Sequence, residues 1–542
     1  MPVAILKDGN RKSKEKNVLY SNIMAATILG QAMKSSLGPN GLDKMLVDAI
    51  GNSTVTNDGA TLLKRMEIQH PIGKMLVEIA KTQDEMVGDG TTTVVILAGE
   101  FLREARELLD KKVHPSIIMN GYEIACEKAR EIMKDIALKI DLKDKTMLKK
   151  IAQVAISTKM LAEHKDVLAE LIMNAVLQVT RKTPKGYDID LDDISIQRKP
   201  GGSLDETTLV NGVIIDKEIV HMTMPRRVDN AKIALIVLPF EIKKTTIDSK
   251  INIQNPDQLK MFTAEEENIL RRMVGQLHDV GANVLFCQRE ISEKAQKMLA
   301  NENILAVKRV KVADMERIAK ATGGKIMTTI DELEIKDLGS AELVKERKFG
   351  KDKIVLVEGC KNPKAVTIFI RGGTDKVIDE ARRSLLDGLH VLKDVINEPL
   401  VLGGGGASEL EVSKKLVSLA EKTKGKEQLA IKSFAKALES IPATLVENAG
   451  HRSMDVLTKL RSDHKGDSIW SGVSPLDGRV IDTYKNGVLE PLIVKTQAIS
   501  SASEAAQIIL KIDDVIASCK SEIGDTQAKD QEESTHEEKK EI

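Results

Sequence analysis

The hexapeptide Gly88-Asp89-Gly90-Thr91-Thr92-Thr93 places two glycines, one acid and three hydroxyls directly ahead of the apolar run Val94-Val95-Ile96-Leu97. Glycines let a backbone approach an anion closely, hydroxyls hydrogen-bond phosphate oxygens, and the first N–H groups of a helix favour negative charge. A carboxylate in that company makes sense when a cation such as Mg²⁺ bridges it to the phosphates. A Gly-Thr turn that only caps a helix accounts for the same residues equally well. Three other segments offer related chemistry. Leu37-Gly38-Pro39-Asn40-Gly41 is a turn whose glycines can admit a phosphate or simply turn the chain. Asn57-Asp58-Gly59-Ala60-Thr61 sets an acid before a helix start, where an N-cap is the simpler role. Gly403-Gly404-Gly405-Gly406-Ala407 precedes a helix and is either a loose hinge or a place where something lies against the backbone.

Other chemistries are missing. None of the pairs Gly73-Lys74, Gly324-Lys325, Gly350-Lys351 and Gly425-Lys426 is followed by Ser or Thr, so no Walker-type P-loop exists, and neither His-Glu-x-x-His nor Gly-x-Ser-x-Gly occurs. Cys126, Cys287, Cys360 and Cys519 are widely spaced, which argues against a zinc ribbon or a disulfide scaffold and fits a reducing compartment.

The elements that must position these motifs fall into two classes. Apolar residues recur at helical spacing over 21–36, 72–85, 94–109 and 116–137, and again over 408–460 and 500–523, with Ser408 as the expected N-cap ahead of Glu409 and Glu411. Between them, strand-like runs at 233–238, 284–287 and 304–307 alternate with helical runs at 264–277, 292–300 and 315–321, which predicts a small α/β domain. The Lys-rich stretch from Glu241 to Met261 interrupts that domain after its first strand and is expected to project from it, with Thr263 and Glu266 forming a capping box at the next helix. The last nineteen residues, 524–542, are polar and charged and are expected to be disordered. The fold class is thus multidomain, α and α/β.

The chain has 542 residues, enough for three or four domains at roughly 150 residues each. Lys plus Arg and Asp plus Glu both number 81, so no global field favours nucleic acid or an anionic membrane. Aromatic residues are 2%, too few for base-stacking platforms. No run of signal-peptide or membrane-spanning character is present, and a cytoplasmic protein is expected.

Taken together, Leu37-Gly-Pro-Asn-Gly-Leu-Asp-Lys-Met45, Asn57-Asp-Gly-Ala-Thr61, Gly88-Asp-Gly-Thr-Thr-Thr93, Gly404-Gly-Gly-Ala407 and Gly487-Val-Leu-Glu-Pro491 closely resemble the signature set of the group II chaperonins, over about residues 17–523. The resemblance implies an ATP- and Mg²⁺-dependent folding chamber of two stacked rings of eight or nine subunits, homo- or hetero-oligomeric, that encloses non-native client proteins. It further implies an equatorial ATPase domain (1–148 and 402–523), an intermediate domain (149–215 and 368–401) and an apical domain (216–367) whose protrusion, about 241–273, is a built-in lid that makes a separate co-chaperonin cap unnecessary.

Carried over position by position, Asp89 matches the family's Mg²⁺ and phosphate acid, and Gly90, Thr91, Thr92 and Thr93 its phosphate loop. Leu37, Gly38 and Pro39 match the segment along the nucleotide, Gly404 and Gly405 the loop under ribose and base, and Glu490 the ribose acid. Asp387 matches the acid that positions the attacking water, assisted by Asp58; by its residues alone it reads as a solvated acid on an amphipathic helix. Lys159 stands where the family senses the γ-phosphate, although the usual Thr-Gly-Lys-Gly is here Ser-Thr-Lys-Met. Met298 and Leu299, on an apical helix, are the expected client contacts. Two other classes remain open at this stage: an ATP-dependent small-molecule enzyme using the same phosphate loops, and a structural ring or filament protein regulated by nucleotide.

Overall fold

Three large apolar cores, with two clusters of four buried residues beside them, organise the described residues in a computed structural model. It describes residues 11–517 apart from 13–14, 48–50, 52, 67, 157–162, 185, 242–255, 350–351, 361–364, 467, 475 and 515. Lys159, most of the Lys-rich stretch before the 256–279 helix, and the 524–542 tail therefore lie outside the described residues.

The first core is helical and draws on both ends of the chain. The Thr91–Asp110 helix lies at its centre because, past the three threonines of its first turn, Val94, Val95, Ile96, Leu97, Phe101 and Leu102 are buried on all its sides. Around it pack the helices Glu15–Lys34, Pro71–Val87, Pro115–Ile136, Glu427–Leu438 and Leu492–Lys511. Phe101 stacks on Phe434 with ring centroids 4.2 Å apart, and the Tyr122 hydroxyl donates to the Phe101 carbonyl at 2.7 Å. Phe101, Tyr122 and Phe434 thus join the two ends of the chain through one aromatic cluster.

The second core combines the helices Lys145–Ala155, Lys165–Val179 and Asp375–Asn397 with a three-stranded sheet in the order Ile194–Pro200, Val366–Gly372, Thr208–Val210. The third surrounds a seven-stranded sheet. Its parallel part sets Leu305–Val307, Val284–Cys287 and Arg227–Ile236 side by side, with Ile326–Met327 also pairing the last; its antiparallel part continues through Gly339–Phe349 and Asp352–Glu358 to Gly212–Ile215. Strands buried on both faces read as the continuous apolar runs Ile233-Ala-Leu-Ile236 and Val284-Leu-Phe-Cys287, and the helices Pro256–Asp279, Glu293–Asn301 and Val312–Thr322 cover them.

Three local expectations are corrected. The helix expected to start at Thr263 begins at Pro256, so Thr263 lies inside it and cannot cap it. Ser408 does not cap the Ala407–Lys422 helix: Gly406, at φ 78°, occupies that position, and the Ser408 hydroxyl turns back to the Gly403 carbonyl at 3.1 Å. The final helix spans Leu492–Lys511 rather than 500–523, and Ile516–Ala517 instead pairs antiparallel with Arg11–Lys12. Among the described residues no helix is long and apolar enough to cross a membrane.

Candidate functional site

Two glycines frame the phosphate-loop candidate. Gly88, at φ 65°, ends the Pro71–Val87 helix with its N–H on the Asp84 carbonyl, and Gly90, at φ 79°, opens the Thr91–Asp110 helix. A left-handed residue on each side of Asp89 reverses the chain within three residues, a conformation that favours glycine. The Gly90 N–H donates to Asp89 Oδ1 at 2.6 Å, and the Asp89 carbonyl accepts from the Gln83 amide at 2.9 Å. Gly90 offers no side-chain cap, so the first amides of the Thr91 helix, flanked by the hydroxyls of Thr91, Thr92 and Thr93, keep their donor capacity for an anion.

Asp58 meets this loop from a second segment. It caps the Gly59–Arg65 helix, with the Thr61 N–H donating to Oδ2 at 2.8 Å, while Oδ1 accepts from the Thr91 hydroxyl at 3.1 Å. The N-cap role and proximity to the phosphate loop are therefore compatible, because each uses a different oxygen. The two helix starts nearly touch: a Cβ on Gly59 would stand 2.8 Å from Thr92 N.

Asp387 arrives from the second core. The Asp375–Asn397 helix lies across Gly88, where any Cβ would overlap His390, one turn along from Asp387. Burial, then the charges of Asp58, Asp89 and Asp84, push the Asp387 carboxyl well above the usual carboxylate range. Burial also raises Asp89, with Asp58 adding to it while the Gly90 N–H and Lys495 oppose it. Burial raises Asp84 too, followed by the charge of Asp58. Acids from three distant segments that hinder one another's ionisation form a place where a cation is favoured. Among the described residues no three such side chains stand close enough to hold a metal by themselves, so the fit is to Mg²⁺ as it accompanies a nucleotide, held by one or two carboxylates with the phosphates and water supplying the other oxygens.

The remaining nucleotide candidates come from both ends of the chain. Leu37 is buried and its carbonyl accepts from Asn448 at 2.8 Å, while Gly38 fits closely under Leu445; Pro39 follows, half-buried, and Asn40 donates to the Leu476 carbonyl at 3.1 Å. Gly405 accepts on its carbonyl from Val473 N at 2.8 Å, and Gly404 faces Glu490. The strand Leu489–Pro491 pairs with Leu400–Gly403, which brings Glu490 opposite Leu402.

Met298 and Leu299 lie elsewhere, in the third core. Leu299 is fully buried there and Met298 is half-buried against it, so Leu299 packs the domain and cannot present a surface to a client. The reason is helical phase: Ala295, Leu299 and Ala300 face the sheet. Of the neighbouring helix, Leu270, Val274 and Leu277 are likewise core, whereas Ile269 is exposed.

Four side chains at the site went unmarked in the motifs: Gln83, His390, Asn448 and Lys495. Only Lys495 carries a sequence signal, as the one cation in the largely apolar run from Leu489 to Ile499, whose one acid is Glu490.

The model of the TCP-1/cpn60 chaperonin family matches residues 29–520. Thermosome subunit alpha of Archaeoglobus fulgidus is 51% identical over 516 residues, covering 95% of both chains. A thermosome subunit of Methanopyrus kandleri is 50% identical over 515 residues, covering 95% of this chain and 94% of its own, and thermosome subunit beta of Thermococcus kodakarensis 50% over 521 residues, covering 96% and 95%. The chain belongs to the TCP-1/cpn60 chaperonin family, in its group II branch. A chaperonin of this branch is a molecular chaperone, which sets aside both the small-molecule enzyme and the nucleotide-regulated filament. In this chaperonin the five motifs that carry the resemblance are spread over both ends of the chain; the first supplies Leu37 to the first core, and the second and third run directly into it at Leu62 and Val94.

Proposed function

We propose that this chaperonin hydrolyses ATP with Mg²⁺ in the cleft between the first and second cores and uses the cycle to enclose non-native proteins. The observation that carries the reading is the convergence of Asp58, Asp89 and Asp387, from three segments, at the uncapped start of the Thr91–Asp110 helix. In this reading the amides and hydroxyls of Thr91, Thr92 and Thr93 hold phosphate oxygens, Leu37, Gly38 and Pro39 lie along the nucleotide, and Gly404, Gly405 and Glu490 receive its ribose and base. Asp387, assisted by Asp58, orients the attacking water, because a carboxylate raised in its affinity for protons is a competent hydrogen-bond acceptor for a nucleophile. Asp89 would hold Mg²⁺, which when bound with ATP neutralises charge on the phosphates.

The three cores support a division into an equatorial domain (1–148 and 402–523), an intermediate domain (149–215 and 368–401) and an apical domain (216–367). Asp387 then belongs to the intermediate domain and the phosphate loop to the equatorial one, so hydrolysis requires the two to close. Clients, two stacked rings of eight or nine subunits, a built-in lid at about 241–273 and a cytoplasmic location complete the reading, with Ile269, Met273 and Met298 left as client contacts after the burial of Leu299. Single-turnover hydrolysis of ATP by the purified particle, with and without Mg²⁺, tests the catalytic part; no Mg²⁺-dependent release of phosphate would overturn it.

A further inference from the structure

A buried cation lies beneath the glycine loop. Lys495, in the first turn of the Leu492–Lys511 helix, is 5% exposed, and its ammonium reaches Glu409 Oε1 at 2.6 Å and Glu490 Oε2 at 2.9 Å. Glu409 is itself buried, and its other oxygen lies 3.0 Å from the Ser408 hydroxyl, which also reaches the Gly403 carbonyl. Glu490 is split in the same way: Oε2 faces Lys495, whereas Oε1 would stand 2.6 Å from a Cβ on Gly404. Only a residue without a side chain at 404 leaves that oxygen at the loop surface. Glu490 is partly exposed on the loop side, and the buried ammonium behind it holds the carboxylate ionised and oriented.

We propose that Lys495 is a positioning residue of the nucleotide site, holding Glu490 so that Oε1 meets the ribose hydroxyls at the Gly404 backbone. The inference rests on the nucleotide reading of Glu490 and adds the group that makes it work. Burial opposes the charge on Lys495, but Glu409 and Glu490 outweigh it and keep the ammonium protonated. At Glu490 burial favours the neutral acid and Lys495 counters it. The same ammonium counters the rise at Asp89, and Val494, its chain neighbour, accepts from Gln83, the residue that holds the Asp89 carbonyl. The ribose end and the phosphate end are thereby referenced to one turn of one helix.

The test compares binding of ATP with that of 2′,3′-dideoxy-ATP to the full-length protein. Glu490→Gln should reduce the preference for ATP about tenfold. Removing Lys495 alone would leave two buried acids facing each other, so Lys495→Met is paired with Glu409→Gln, which removes one charge of each sign. This pair should reduce the preference to the same extent, and adding Glu490→Gln to it should change the ratio by less than twofold. If Glu490→Gln keeps the full preference, the ribose reading itself fails. If Glu490→Gln loses it while the charge-balanced pair keeps it, Lys495 does not position Glu490 and the nucleotide site stands without it. If the pair does not fold, Lys495→Arg decides: it keeps the cation but displaces its donors, so a preference altered at least threefold supports the inference and an unaltered one overturns it.

Discussion

Carboxylates that meet between the first and second cores set the behaviour of single residues. On the proposed mechanism, Asp387→Ala should lower single-turnover hydrolysis by about two to four orders of magnitude while ATP still binds, because the side chain would orient water and not hold the nucleotide. Asp89→Ala should weaken Mg-ATP binding as well as turnover, and a titration at limiting Mg²⁺ separates the two variants. A pH effect belongs at this scale too. Asp394, 7% exposed and with Oδ2 lacking a hydrogen-bond partner, is pushed up to about 7, by burial first, with Lys393 opposing and Asp89 reinforcing. A carboxyl raised in the folded state favours folding while it stays protonated, and that contribution is lost as pH rises from the ordinary carboxylate range through about 7. The nucleotide-free protein should therefore lose stability between pH 4 and 8, by up to about 4 kcal/mol from Asp394. Asp394→Asn should flatten the dependence of Tm on pH in that window; an unchanged slope would assign the effect to other groups.

Elements carry these residues to one another, and the contact of the Asp375–Asn397 helix with Gly88 is the joint on which the arrangement turns. Gly88→Ala adds a Cβ at φ 65° against His390, so the helix carrying Asp387 must lift. The expected cost is about 1–3 kcal/mol of stability. Turnover should fall well beyond what that loss explains, measured as kcat at a temperature where the variant is fully folded. A second element prediction concerns the Lys-rich insertion. Replacing residues 243–255 by a short Gly-Ser link should leave hydrolysis intact, since the phosphate loop belongs to another core, while a client bound in the presence of a transition-state analogue becomes open to added protease. Protection equal to that of the unaltered protein would show that the segment is not the lid.

For the whole molecule, family membership implies assembly, and the mass of the purified particle by light scattering, with and without Mg-ATP, checks it: a double ring of eight or nine subunits is expected, and a monomer or dimer would contradict the chamber. At this scale the sequence by itself determined a good deal. Motifs whose chemistry is local, such as Gly88 to Thr93 and Asp58 before Gly59, were legible because a left-handed turn, a helix start and an N-cap are set by neighbours in the chain. The alternation of strands and helices across 227–322 was legible too, since apolar runs of four residues and helical repeats differ in period. Tertiary structure alone decided what distant segments do to one another. Ser408 reads as a cap, yet the glycine loop folds under it and Gly406 takes that place. Leu299 reads as core by its own residue type and as a client contact by the resemblance, and the phase of its helix on the sheet decides for the core. Asp387 reads as a solvated acid until the second core lays its helix on Gly88. Lys495 gains a role only when Glu409, 86 positions away, closes on it. Burial and the field of remote charges depend on three-dimensional neighbours, and no local pattern of residue types encodes them.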